Sequence, residues 1–413
     1  MKDRLYFKDP WQKTFEAAVE AEKEEAGGKW LLLSQSVFYP EGGGQPGDTG
    51  RLFYDGLAYP ISDTQSDAAD RVWHRVEQPE GAKSLTAGDR VQGEIDWARR
   101  HDHMQQHTGE HILAYCVWKL AGGYVHGLHI GQTESSIDVS LPEGQTRLSK
   151  PLLGDIETLA NQIIARDDEI ICRFPEPREL ESLPLRKIPG EHAQTRVVLM
   201  GGYEGVACGG THLSRTSQAG MVKILRDQSA RGKMRLFFLC GLRAVRHYQA
   251  TYEALDRASS LLNTPLNEVP QALANTLEKQ NELNAELSAL RREMALSRLP
   301  ALIQRAEALP DGNRLITAEL TQAEAPALEA LASALSEEPR LIALLCAPQG
   351  DKVLFSFSRQ EGPGPDLSAL MRETGIKGGG RPAFARGAGQ AADLLRQAAQ
   401  ILRNRALAQH MHE

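Results

Sequence analysis

Apolar and polar positions change their period several times along this 413-residue chain. Up to about residue 95 the apolar positions come in short runs. Lys29-Trp-Leu-Leu-Leu-Ser-Gln-Ser36 reads as a buried strand, and Arg71-Val-Trp-His-Arg-Val-Glu77 and Arg90-Val-Gln-Gly-Glu-Ile95 read as further strands. Turn-rich segments separate them, the punctuation of a small β-barrel over residues 1–95. Between the first two lies Phe38-Tyr-Pro-Glu-Gly-Gly-Gly-Gln-Pro-Gly-Asp-Thr-Gly50. Seven of its thirteen residues are glycine or proline, so it reads as a loop, either a plain connection or backbone lying close against a ligand.

At Asp96 the period becomes helical. Asp96 reads as the N-cap of a long helix running to about Leu120, with Gly109 inside it at a cost of about 1 kcal/mol relative to alanine. A close approach by another backbone, by a substrate or by a packing partner would account for that glycine. Glu134–Leu141 alternates like a strand, Asp155–Asp168 reads as an amphipathic helix, and 196–200, 221–225 and 234–239 read as strands. Residues 96–241 are thus expected to form an α+β domain. From 242 to 307 the rows Val245, Tyr248, Tyr252, Leu255 and Leu283, Leu287, Leu290, Met294 predict two long helices broken at Asn263-Thr-Pro265, forming an antiparallel hairpin linker. A dimerising coiled coil is the other reading of these rows, disfavoured by Gln280 and Asn284 in the seam. Residues 308–413 return to strand–helix alternation, with strands at Arg340–Leu345 and Lys352–Phe357 and a last helix over Gln390–Ala408. The expected whole is an α+β multidomain chain: small β-barrel, α+β metal domain, helical arm and C-terminal α/β domain.

Two stretches carry candidate chemistry. His107-Thr-Gly-Glu-His111 sets two imidazoles on one helical face, one turn apart. Cys208-Gly-Gly-Thr-His212 sets a thiol and an imidazole at the ends of a Gly-Gly turn that can aim both at one point. Three His nitrogens and one Cys sulfur suit zinc. The first stretch also fits H-x-x-E-H, a peptidase pattern in which Glu110 would be the general base, but that reading leaves Cys208 and His212 without a role. Near the C-terminus, Gly375–Gly389 reads as a glycine-rich loop presenting Lys377, Arg381 and Arg386 ahead of a helix, either an anion site or simply a solvated loop. No Gly-Lys-Ser/Thr ends it, which argues against nucleotide triphosphate hydrolysis.

Composition adds limits. A hydrophobic share of 41% with 24% charged residues is that of an ordinary globular chain, and no apolar run is long enough to span a membrane. Five scattered cysteines without C-x-x-C, and no apolar signal core at the start, predict reduced thiols in the cytosol. The net charge of −7 neither advertises nor excludes nucleic-acid binding, because local patches set the field at a site.

With the F-Y-P-E-G-G-G-Q-P-G-D-T-G loop, the H-T-G-E-H helix, the C-G-G-T-H turn and the K-G-G-G-R-P segment in this order, the chain resembles the long form of the stand-alone alanyl-tRNA editing proteins, the AlaX family. These are similar to the editing and C-terminal parts of alanyl-tRNA synthetase. The resemblance implies one zinc per chain on His107, His111, Cys208 and His212, which would also carry catalysis. It implies a substrate-sensing polar residue, nearest here to Gln132, with His126 and His129 close by. It assigns Lys377, Arg381 and Arg386 to tRNA binding, and a homodimer contact to the C-terminal domain. The Gly42-Gly43-Gly44 backbone and Thr211 are candidates for contacting the substrate or its oxyanion. With residue 1 already at the barrel, no aminoacylation domain is expected. The implied activity is therefore trans-editing, hydrolysis of mischarged Ser-tRNA(Ala) or Gly-tRNA(Ala) by a cytoplasmic aminoacyl-tRNA deacylase. A tRNA-binding protein with a purely structural zinc is the alternative. The chemistry is reasonable, since one hydroxyl or methyl is worth only ~1–3 kcal/mol in an activation pocket.

Overall fold

The computed structural model describes residues 4–25, 27–186, 195–321 and 325–411, which fall into two compact units, 1–255 and 256–413. In the first, a one-turn helix α1 (Leu5–Lys8) precedes a closed six-stranded barrel. Its strands are β1 (Thr14–Glu25), β2 (Gly28–Leu33), β3 (Gly50–Tyr54), β4 (Leu57–Ser66), β5 (Val72–Val76) and β6 (Arg90–Ile95). They pair antiparallel in the order β1-β2-β5-β4-β3-β6, and β6 returns to β1. The barrel expected from the sequence is there, with β2, β5 and β6 at the expected places. Strands β1, β3 and β4 were not legible: β1, with the Ala, Glu and Lys content of a helix, is a strand because Phe15, Ala17 and Val19 point inward between two partners.

A fully buried ion pair ties the barrel to the long helix after it. Arg100 Nε lies 3.2 and 3.0 Å from the Asp48 carboxylate oxygens, and its terminal nitrogens donate to Val37 O (2.6 Å) and Pro10 O (3.0 Å). Asp48 also accepts from Tyr39 N at 2.7 Å, which fixes the glycine-rich loop relative to the helix.

That helix, α2 (Trp97–Ala121), starts where Asp96 accepts from Arg99 N (3.1 Å) and stops at Gly122 in the left-handed conformation, φ +63°. From His103 to Val117 it is buried on all sides. Gly109 has a packing reason: a Cβ there would lie 2.0 Å from Cys240 Sγ. Gln106 staples the same place, donating to Cys240 O (2.9 Å) and accepting from Cys240 N (3.0 Å).

Around α2 lie β7 (Tyr124–Ile130), β8 (Ser135–Ser140), α3 (Lys150–Ala165), β9 (Ile170–Arg173), α4 (Pro177–Leu180), β10 (Val197–Met200), β11 (Glu204–Ala207), β12 (Val222–Ala230) and β13 (Lys233–Cys240). They build two antiparallel sheets, β11-β10-β9 and β12-β13-β8-β7. One apolar core joins α2 and α3 to both. Helix α3 begins five residues before the expected Asp155, capped by Ser149. Helix α5 (Gly241–Leu262) comes next, and its row Val245, Tyr248, Tyr252, Leu255 is exposed.

In the second unit, α6 (Val269–Leu296) begins after a break at Asn263, φ +48°; its row Leu283, Leu287, Leu290, Met294 is exposed too. After α7 (Leu299–Gln304), a six-stranded sheet runs in the order β14-β15-β16-β17-β19-β18. Its members are β14 (Glu307–Ala308), β15 (Arg314–Glu319), β16 (Leu341–Gln349), β17 (Lys352–Arg359), β18 (Lys377–Arg381) and β19 (Phe384–Gly389). Only β15 and β16 are parallel. Helices α8 (Ala325–Leu335), α9 (Leu367–Glu373) and α10 (Asp393–His410) cover it.

This corrects one expectation. Gly375–Gly389 is not a loop but contains the hairpin β18–β19, in which β19 pairs on both sides and β18, at the sheet edge, pairs with β19. The glycines let two strands approach: a Cβ on Gly378 would lie 2.2 Å from Arg386 O.

Candidate metal centre

His107 and His111 project from α2, and Cys208 and His212 from the turn after β11. The four side chains converge, with their ligand atoms all within 4.8 Å of one another. Cys208 Sγ lies 3.3 Å from both His107 Nε2 and His212 Nε2. A tetrahedral zinc would hold sulfur and nitrogen about 3.5 Å apart, so the spacing fits with little movement. The donor set, three imidazoles and a thiol, also fits zinc chemically.

Neighbouring groups already orient the donors. His107 Nδ1 lies 2.8 Å from Gln45 Oε1; with that nitrogen donating, Nε2 is left to face the centre. Gln45, wholly buried, donates in turn to Thr211 Oγ1 (2.8 Å) and accepts from Thr211 N (3.2 Å), so the glycine-rich loop grips the Cys-His turn. Thr108 Oγ1 stands 3.4 Å from His212 Nδ1 and accepts from Leu213 N at 3.1 Å. Arg196 Nη1 donates to Cys208 O (2.9 Å) and Gly210 O (2.8 Å), holding the turn from behind. Gly210 must be glycine, since a Cβ would sit 2.2 Å from His107 Cε1.

Burial dominates the electrostatics. It draws the His107 pKa down to about 3, with Arg196 and His103 adding to the effect, and holds His111 and His212 well below the ordinary imidazole value. All three therefore stay neutral, the state in which imidazole binds metal. Burial also pushes the Cys208 thiol up to about 12, so ionising it at neutral pH requires a cation alongside. Glu110, buried beside His111 with its Oε2 3.6 Å from Nε2, is raised by burial to about 7, as is Glu204, which pairs with Arg186. The peptidase reading needs a distant carboxylate as third ligand. Here Cys208 and His212 stand at that place.

The three ligand histidines are buried, while Cys208 is only partly buried and gives onto a cavity of about 250 Å³ that Tyr39, Gly42, Gly43 and Gly209 help to line. Gly42 and Gly43 thus share the mouth of the centre. Gly44 does not: at φ +83° it packs on β7, where a Cβ would strike Leu128 O. Thr211 is at the centre but engaged by Gln45. Gln132 lies on the wall of a different cleft, with His129. Lys377, Arg381 and Arg386 are exposed on the β18–β19 hairpin, where Arg386 pairs with Glu329 (2.7 Å) and Arg381 with Glu361 (3.4 Å). Sequence reasoning missed Gln45, Thr108 and Arg196. A signal existed for Gln45, the polar residue closing three glycines. None existed for Arg196, whose role depends on tertiary contact.

Two family descriptions match the chain: "tRNA synthetases class II (A)" over residues 10–99, and "Threonyl and Alanyl tRNA synthetase second additional domain" over 195–237. Among curated relatives, an alanine–tRNA ligase of Pyrococcus abyssi is 35% identical over 300 residues, covering 70% of this chain and 31% of that one. That of Methanothrix thermoacetophila is 30% identical over 404 residues, covering 94% of this chain and 42% of its own. The chain therefore spans less than half the length of these relatives. A solved C-Ala domain of Aquifex aeolicus alanyl-tRNA synthetase matches 22% of this chain and 89% of that domain at 23% identity and a TM-score of 0.21, too slight a likeness to carry an argument.

Proposed function

We propose that this alanyl-tRNA synthetase-like chain is a trans-editing hydrolase that removes serine, and in the same way glycine, from mischarged tRNA(Ala). The observation that carries the reading is the convergence of His107, His111, Cys208 and His212 in a chain of that kinship. Zinc held by these four residues would supply positive charge to draw on the ester carbonyl between amino acid and ribose. The protein does the positioning. Gln45 keeps His107 turned with Nε2 inward, and Arg196 keeps the Cys208–His212 turn in shape. The Gly42–Gly43 backbone walls the mouth without side chains in the way of a small aminoacyl group, and Tyr39 stands beside it with its hydroxyl donating to Gly42 O at 3.0 Å. Burial excludes water from the histidine side, leaving the Cys208 side as the approach. Lys377, Arg381 and Arg386 belong, in this reading, to the tRNA-contacting surface of the second unit.

A second reading has one observation in its favour: four protein donors close a tetrahedral site, as in structural zinc, which would make the chain a tRNA-binding protein without hydrolysis. Hydrolysis of Ser-tRNA(Ala), Gly-tRNA(Ala) and Ala-tRNA(Ala) by the purified chain, with and without a strong chelator, separates the two. Loss of serine with alanine spared, abolished by chelator and by Cys208→Ala, supports editing. Bound zinc without hydrolysis of any of the three refutes it.

A further inference from the structure

We infer that a second site in the first unit, the cleft where the start of α2 meets β7 and the start of α5, holds the single-stranded 3′ end of an RNA by its phosphodiester backbone. The cleft encloses about 1020 Å³, and its walls carry Arg99, Arg243, Arg246, His101, His129 and His247 around Trp97. Its one carboxylate, Asp102, is already neutralised by Arg243, with Nη2 at 2.6 Å and Nε at 2.8 Å. Arg243 is further held by Gly131 O at 2.7 Å, so it is a fixed wall. Arg99 differs: only its Nε is engaged, donating to Gly47 O at 3.1 Å, which leaves both terminal nitrogens free among the described residues. Arg246 is exposed and has no ion pair or hydrogen bond there at all. Two guanidinium groups with spare donors beside a third that already neutralises the cleft's carboxylate concentrate positive charge on one wall, although the chain as a whole is at −7.

A second, independent feature points to a ligand. His103 lines the same cleft, is only 3% exposed, and its Nδ1 has no hydrogen-bond partner among the described residues. A buried polar atom without a partner is rare in native proteins, and a donor or acceptor brought by a ligand in the cleft would satisfy it. Arg99, His103, His107 and His111 also follow one another at four-residue spacing along α2. Each step rises about 6 Å, so the cleft begins about one turn from the first metal ligand.

The chemistry selects a single strand. Spare guanidinium donors bind phosphate oxygens, and the exposed imidazoles of His129 and His247 offer flat faces to unstacked bases, a combination suited to unpaired RNA rather than to a small anion. The assignment deepens the editing reading and rests on it: the strand in this cleft would be the one that bears the aminoacyl ester.

The test is binding of an uncharged RNA hairpin carrying a single-stranded 3′ extension to the full chain, followed by fluorescence anisotropy across a salt series. Arg99→Ala with Arg246→Ala together should weaken binding roughly tenfold or more. They should also reduce the slope of log K against log salt by about 0.7 for each phosphate no longer neutralised. Arg51→Ala, on the barrel surface, should change neither. Arg246→Glu alone, an exposed change that leaves folding intact, should weaken binding further than Arg246→Ala. In deacylation of Ser-tRNA(Ala), the double variant should raise KM and keep kcat. Unchanged affinity and slope in the double variant overturn the cleft assignment even if serine is hydrolysed normally. Equal binding and equal weakening with a blunt hairpin lacking the extension overturn the single-strand assignment. Weakened binding of the double variant, in a protein that hydrolyses no mischarged tRNA, would keep the cleft and refute editing.

Discussion

Removing the Gln45 side chain tests whether the centre is built as the contacts imply. Gln45→Ala deletes the acceptor at 2.8 Å from His107 Nδ1 and the bond to Thr211 Oγ1, also 2.8 Å, and leaves Thr211 N without its partner at 3.2 Å. All of this lies in a dry site, where an unpaired donor costs about 1–3 kcal/mol. With its ring no longer fixed, His107 should bind metal less well. Loss of such an orienting partner typically weakens affinity about 10–100-fold, or about 1.4–2.7 kcal/mol. Gln45→Glu separates orientation from packing. It keeps an acceptor for His107, and the Thr211 hydroxyl can rotate to donate to it, so zinc affinity should stay at or above the parent value. The assay is zinc competition against a chromophoric chelator on the full chain, with urea unfolding as a control for fold. The reasoning is refuted if the alanine variant binds zinc within twofold of the parent, or if the glutamate variant falls as far as the alanine one.

Other consequences can be checked independently. Gly210→Ala should drive a Cβ to 2.2 Å from His107 Cε1 and empty the site, whereas Gly209→Ala, with nothing within 4 Å, should keep zinc; native mass spectrometry of zinc per chain distinguishes them. Asp48→Ala should destabilise the first unit by about 3–5 kcal/mol, because Arg100 would be left as an uncompensated buried charge, and a lowered urea midpoint is the readout. His74 is wholly buried, lying 2.7 Å from Ser36 Oγ and 3.2 Å from Leu31 O, and burial lowers its pKa from 6.5 to about 4. Its folded pKa being the depressed one, its contribution is complete above pH 6.5 and is lost as pH falls toward 4. The loss is about 3 kcal/mol. Urea midpoints measured from pH 7 to 4 should therefore fall more steeply for the parent than for His74→Gln, and parallel curves would contradict this.

Chemistry that depends on residue type and short-range spacing was legible in the chain alone. Two histidines four apart stay on one helical face whatever surrounds the helix, and Asp96 and Gly122 mark its ends by local geometry. The Cys208–His212 turn belonged to the same class, and so did β2, β5 and β6, whose apolar runs are bounded by turns. What the fold alone decided depends on partners distant in sequence. Strand β1, rich in Ala, Glu and Lys, is not picked out until β2 and β6 pair with it, because β preference is mostly a preference for neighbours. The glycines of β18 and β19 read as a loop until each strand is seen to need the other's close approach. Gln45 and Thr211 are 166 residues apart, and His107 is 62 from Gln45, so their shared hydrogen bonds leave no periodic trace. Sequence named the atoms that can hold a metal, because ligand identity is a property of the residue. Only the folded chain decided which nitrogen faces inward, which glycine must stay bare, and which face of the centre remains open, because those depend on packing between segments that meet nowhere in the sequence.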